Sequence, residues 1–78
     1  MIEDYKTKEE KMDRNALKQE RLKKGFTQAY MADQLGFKSR ASYCLIEGGE
    51  TSVSVELAKK ISIILGLSQE RTTEIFLQ

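Results

Sequence analysis

The chain has 78 residues, 13 of them basic and 12 acidic, with no histidine and a single cysteine, Cys44. A chain of this length forms one small domain that buries only about 60 to 65% of its unfolded surface, so a partner copy would add stability. With no histidine and one thiol, a Cys/His zinc site, a Cys-His nucleophile pair and a disulfide framework are excluded, and we expect no enzymatic activity, no metal and no cofactor.

The N-terminal segment 1–12 alternates in charge and has little to bury. We expect it to be either a frayed extension of the first helix or a disordered arm, ahead of a single domain over residues 13–78. The segment lacks the apolar stretch of a signal peptide, and no apolar run approaches the roughly 18 residues that cross a bilayer. The chain is therefore expected to be soluble and cytoplasmic, without a membrane partner.

The absence of proline and the positions of the five glycines predict an all-α fold with five helices. The first helix is expected from about residue 13 or 15 to residue 24, and the second begins at the N-cap Thr27 and ends at Gly36. The third helix is capped by Ser39 and ends at residue 48. The fourth begins near residue 52 or 54 and carries an apolar stripe, and the fifth is capped by Ser68.

The third predicted helix has two faces when its residues are spaced by 100°. Tyr43 and Ile46 lie one turn apart and are expected to anchor the helix on the core. The other side carries one long cation among small or apolar side chains: Arg40, Ala41, Cys44 and Leu45. Arginine can donate two hydrogen bonds to guanine and an apolar tip can meet a thymine methyl group, so this face suits base-pair edges. In the alternative interpretation, the three uncharged residues pack in the core or on a partner.

The charge distribution points to the same part of the chain. Residues 15–47 carry six basic and three acidic side chains, whereas the segments on either side each have one more acid than base. A local basic patch favours a docking face for nucleic acid, and the alternative is an ordinary solvated helix face.

The segment 27–47 reads TQAYMADQLGFKSRASYCLIE, two short runs around a glycine turn, which is the outline of a helix-turn-helix. The motifs around it are LKQERLKKGFTQ, MA..LG, S..Y..IE.G and ISIILGLS, between Leu17 and Phe76. With these motifs the chain resembles the Cro/C1-type (XRE-like) helix-turn-helix family of phage and bacterial regulators. The resemblance implies a five-helix bundle of the lambda-repressor-like DNA-binding type, with the helix at about 40–47 in the major groove.

The resemblance also implies roles for single residues. Arg21 and Glu47 match a pair that joins the first and third helices by an ion pair. Arg40, Ala41 and Leu45 match positions that commonly meet base edges. Gln28 matches a glutamine that grips a phosphate from the start of the second helix. Further residues expected near backbone phosphates, where they position the domain without reading sequence, are Lys38, Ser39, Thr51 and Ser52.

Three features depart from the family pattern. Tyr30 stands where a capping-box acid is usual, which predicts a weaker cap on the second helix. Leu45 replaces a side chain that is often polar. From Gly36 to Glu47 the spacing is one residue longer than in many relatives, and we assign the extra residue to the turn at 36–39. Inside the third helix it would rotate the base-facing set by one position.

These features predict a sequence-specific regulator that binds double-stranded DNA, most simply a repressor acting as a homodimer on a palindromic operator, with no evident small-molecule ligand. The alternative is a protein-interaction module, such as an antitoxin-like or anti-repressor partner, that keeps the bundle without reading DNA. The apolar residues Ile75, Phe76 and Leu77 are the expected contact between two copies. Core packing is the competing use of Phe76.

Overall fold

The computed structural model describes residues 12–76, which contain five α-helices. They are α1 (Arg14–Lys23), α2 (Gln28–Gln34), α3 (Arg40–Glu47), α4 (Val55–Leu65) and α5 (Gln69–Phe76). Residues 12–76 contain no strand, so the prediction of an all-α, five-helix fold is confirmed. The predicted N-terminal extension, apart from Met12, and Leu77 lie outside the described residues. The longest helix, α4, has 11 residues, and no helix of the described part is long and apolar enough to span a membrane.

Side chains at the helix starts explain where most of the helices begin. In four cases an oxygen of the N-cap residue accepts a hydrogen bond of 3.0 to 3.1 Å from the backbone N–H three residues later. These N-cap residues are Asp13, Thr27, Ser54 and Ser68. Ser39 precedes α3 in extended conformation, but among residues 12–76 its hydroxyl makes no capping hydrogen bond. Ser39 is therefore the N-cap residue of α3, as predicted, but its side chain does not satisfy a backbone N–H of the helix.

The core contains large apolar side chains from all five helices. The fully buried ones are Leu17, Met31, Tyr43, Ile46, Ile61, Leu65 and Ile75. Burying one such side chain contributes about 1.5 to 3 kcal/mol to folding. Tyr43 and Ile46 are 0% and 1% exposed, so the predicted anchors of the third helix do lie in the core. They determine which side of α3 faces outward.

The turn between α2 and α3 is a Schellman motif. The N–H of Gly36 donates to the carbonyl of Asp33 (3.1 Å), and that of Phe37 donates to the carbonyl of Ala32 (2.9 Å). Gly36 has a φ of +80°, a left-handed conformation that favours glycine. From Arg40 to Glu47 the helix is regular α without interruption. The outward side of this helix carries Arg40, Ala41, Cys44 and Leu45.

The C-terminal helix requires one correction. Ile75, predicted to contact a second copy, is fully buried in the core, so that prediction is wrong for this residue. The reason is that one side of α5 faces inward. Arg71 Nε lies 2.8 Å from Glu20 Oε2 on α1, and the hydroxyl of Thr72 lies 2.9 Å from that of Ser62 on α4. Ile75 lies four positions after Arg71 and three after Thr72, so it shares their face of the helix. Phe76 is half-buried and packs against the core.

Candidate nucleic-acid interface

The outward side of α3 presents the four predicted base-reading residues together. Arg40, Ala41, Cys44 and Leu45 are all exposed, with Leu45 at 45% of its full accessible area. They lie opposite Tyr43 and Ile46 on the helix. An exposed leucine and a free thiol on this face gain nothing from the core, so the face is available to a partner.

Polar residues flank both ends of this face. The exposed Lys38 and Ser39 lie in the turn before α3, and the exposed Thr51 and Ser52 lie in the connection between α3 and α4. Gln28 is half-buried at the first position of α2. Polar side chains of the kind that contact phosphates therefore lie before and after α3 along the chain.

A buried ion pair fixes α3 relative to α1. The Nε and Nη2 atoms of Arg21 donate to Oε2 and Oε1 of Glu47 at 2.6 and 3.1 Å, a two-bond fork. The side chains are only 8% and 5% exposed. Arg21 Nη1 also donates to the carbonyl of Phe26 at 2.8 Å. The pair therefore joins α1, the turn before α2 and the end of α3.

The ion pair is reflected in the titration of both partners. Burial acts to raise the pKa of the Glu47 carboxyl, but hydrogen bonding, first of all from Arg21, together with the charge of Arg21 outweighs it, so the pKa of Glu47 is lowered from its ordinary value. The hydrogen bond to Glu47 raises the pKa of Arg21 in turn. Burial raises the pKa of the neighbouring Tyr43 phenol. At neutral pH, Glu47 is therefore a carboxylate with a fixed cationic partner.

Gln28 connects this ion pair to the exposed face of α3. Its Nε2 donates to Glu47 Oε1 at 3.1 Å, and its Oε1 accepts from Arg40 Nη1 at 3.3 Å. The sequence predicts separate DNA contacts for Gln28 and Arg40, whereas in the structure the two side chains touch each other. Both residues occupy the first position of their helices, but only the packing of α2 against α3 brings those helix starts together.

Arg14, for which the sequence pattern predicts no role, contacts the end of α3. Its Nη1 donates to the carbonyl of Gly48 at 2.7 Å, across 34 residues of sequence. Gly48 ends α3, and the carbonyls at the end of a helix have no partner inside it. Arg14 therefore holds the C-terminal end of α3, as the ion pair with Arg21 does through Glu47.

Beside the α3 face lies a shallow, open cleft with mainly apolar walls. Its lining includes Leu22, Phe26, Thr27, Gln28 and Arg40. The rings of Phe26 and Tyr30 pack with centroids 4.4 Å apart, so Tyr30 makes an apolar contact where a capping-box acid would be expected. Within residues 12–76, no group of three Cys, Asp or Glu side chains is placed to hold a metal ion.

The arrangement of α2, the glycine turn and the exposed face of α3 is that of a helix-turn-helix domain, a class of DNA-binding proteins. The family model of the Cro/C1-type (XRE-like) helix-turn-helix matches residues 17–69, and the chain belongs to this family. Members bind double-stranded DNA and are generally not enzymes, so the protein is a DNA-binding transcription regulator. Comparison with curated proteins gave no significant match, and comparison with solved structures gave none.

Proposed function

We propose that this protein is a sequence-specific repressor that binds a palindromic operator as a homodimer and inserts α3 into the major groove. The observation that carries the proposal is the exposed face of α3, on which a cation stands among small and apolar side chains that the core does not use. The proposed site of action is the cytoplasm, the compartment that would also contain the operator.

Base reading is assigned to the side chains on that face. Arg40, with one Nη engaged by Gln28, keeps donors for the O6 and N7 acceptors of a guanine. Ala41 and Leu45 supply apolar contacts for thymine methyl groups, and Cys44 lies between them and Arg40 around the helix. Because Leu45 carries no hydrogen-bonding group, we expect preference for thymine at its position to come from methyl contact alone.

Positioning on the DNA backbone is assigned to residues around the ends of α3. The proposed phosphate contacts are Gln28, Lys38, Ser39, Thr51 and Ser52. The hydroxyl of Ser39 supports this role because no cap hydrogen bond engages it within the described residues. Of the five, only Lys38 carries a charge, so it contributes most to the salt dependence of binding.

The homodimer is proposed because a single helix-turn-helix unit covers only one half-site, and two units about 34 Å apart read successive turns of DNA on one side. With Ile75 in the core, the candidates for the contact between copies are the half-buried Phe76 and Ile63 on α4. Ile63 is 78% exposed, the highest value for a large apolar side chain in residues 12–76. Leu77, the third predicted contact, lies outside the described residues.

Selection of preferred duplexes from random DNA tests the proposal directly. We expect a symmetric consensus with half-sites about one turn apart, and Arg40→Ala should cost about 1 to 3 kcal/mol and relax preference at one base pair per half-site. Ser52→Ala is the matched control, since loss of a phosphate contact weakens binding to all duplexes alike. If no duplex is enriched, or if Arg40→Ala leaves every base preference intact, the protein-interaction module replaces this proposal.

A further inference from the structure

The carboxylate of Glu47 is held from two sides. Both of its carboxylate oxygens are engaged by Arg21, and Oε1 accepts a second hydrogen bond from Gln28. A two-bond fork between nearly buried side chains leaves the carboxylate little freedom to rotate. Glu47 is therefore a fixed acceptor at the end of α3, although it is too buried to reach DNA itself.

The fixed carboxylate determines which way the Gln28 amide points. An amide has one acceptor oxygen and one NH₂ group, and the oxygen cannot face a carboxylate without repulsion. With Nε2 turned to Glu47, Oε1 is turned towards α3, where it accepts from Arg40. One N–H of Gln28 stays available for a phosphate. The orientation of Gln28 is thus decided by the ion pair and not by Gln28 alone.

Arg40 is the end of this chain of contacts. It is exposed, and an exposed arginine samples many rotamers unless a neighbour holds it. The contact with Gln28 uses one of five N–H donors and orients the guanidinium while leaving the others for a base. Ordering a side chain before binding lowers the entropy lost on binding.

We propose that Glu47 is a positioning residue for DNA recognition, which acts through Gln28 to hold Arg40 in the orientation that reads its base. This inference rests on the proposed function, because it requires Arg40 to contact a base. It assigns the ion pair between Arg21 and Glu47 a part in sequence discrimination, in addition to its part in joining α1 to α3.

The test removes the ion pair without leaving a buried charge. Arg21→Met together with Glu47→Leu replaces it by apolar side chains, which buried pairs tolerate, and keeps the net charge and so the general attraction to DNA. The readout is discrimination, the ratio of Kd values for the selected duplex and for a duplex changed at the base pair to which Arg40→Ala is sensitive. We expect discrimination to fall by roughly 3- to 30-fold, which lies within the range for side chains coupled in one network.

The matched control is a second ion pair that joins α1 to a later helix within the described residues. Arg71→Met together with Glu20→Leu removes a pair of 2.8 Å between α1 and α5, also without change in net charge. Discrimination should then equal that of the wild type. Circular dichroism and thermal unfolding establish that both double variants are folded.

A second variant keeps the inference testable if the first does not fold. Gln28→Met breaks the chain of contacts at its middle and leaves the ion pair intact, so discrimination should again fall, but not further in an Arg40→Ala background. A folded variant of either kind with wild-type discrimination would overturn the role of Glu47. If instead Arg40→Ala itself leaves discrimination unchanged, the proposed function has failed, and the two failures are thereby distinguished.

Discussion

At the scale of residues, the most informative side chain is Glu47, because one carboxylate joins α1 to α3 and, in our proposal, also orients the base-reading Arg40. It accepts from Arg21 on α1 and from Gln28 on α2 while belonging to α3. A buried ion pair contributes little net stability compared with apolar packing, but loss of one partner is costly because the other charge is left without compensation. The pair thus determines geometry more than it adds to the free energy of unfolding.

The lowered pKa of Glu47 predicts a pH dependence of stability. A carboxyl whose pKa is lower in the folded state stabilises the fold above the ordinary glutamate value of about 4.3, and that contribution is lost as the pH falls through the folded pKa. The wild type should therefore lose more unfolding free energy below about pH 4.3 than the variant with Arg21→Met and Glu47→Leu. Urea unfolding between pH 7 and pH 3 measures this, and parallel curves for the two proteins would contradict the prediction.

At the scale of elements, four of the five described helices begin at a residue whose side chain accepts a capping hydrogen bond, and α3 does not. Ser54 at α4 accepts from the N–H of Leu57, whereas Ser39 at α3 makes no capping bond among the described residues. α3 is held instead by its neighbours, through Tyr43 and Ile46 in the core, Glu47 in the ion pair and Arg14 at its end. The Ser39 hydroxyl is consequently free to serve the interface.

This difference predicts opposite results for two matched substitutions. Ser54→Ala should lower the free energy of unfolding by about 1 kcal/mol, because the N–H of Leu57 loses its acceptor. Ser39→Ala should change it by less than about 0.5 kcal/mol but weaken DNA binding alike for all sequences. Urea unfolding and titration with the selected duplex measure the two effects. Equal destabilisation by both substitutions would show that Ser39 caps α3 after all.

At the scale of the whole molecule, the last helix of the described part, α5, packs back against α1 and the residue that precedes it. The N–H of Asp13 donates to the carbonyl of Ile75 at 2.7 Å, and Arg71 pairs with Glu20. The pKa of Glu20 is lowered, chiefly by its hydrogen bond from Arg71. Since α5 uses this side for closure, a second copy that docks on α5 would meet its outer residues, such as Phe76, and we propose that it also contacts the exposed Ile63 of α4.

Self-association should therefore depend on Ile63. Ile63→Lys places a charge at the proposed contact and should shift the protein towards monomer. The amount of DNA bound should then depend more steeply on protein concentration. Leu22→Lys, at an exposed apolar side chain on α1, adds the same charge and should leave self-association unchanged. Sedimentation equilibrium at several concentrations distinguishes the two. A wild type that is monomeric throughout, on and off DNA, would rule out the homodimer.

The local sequence by itself determined the positions of the helices, the side of α3 that faces outward and the family. Glycines in the turns, N-cap side chains and apolar spacing act within a few residues, so they predicted five helices, the orientation of α3 and the family. Only the tertiary structure decided which apolar residues of α5 face inward, and it placed Ile75 in the core. It also brought Gln28, Arg40 and Glu47 into contact. These outcomes depend on how helices distant in sequence pack together, and no periodicity within a single helix records that packing.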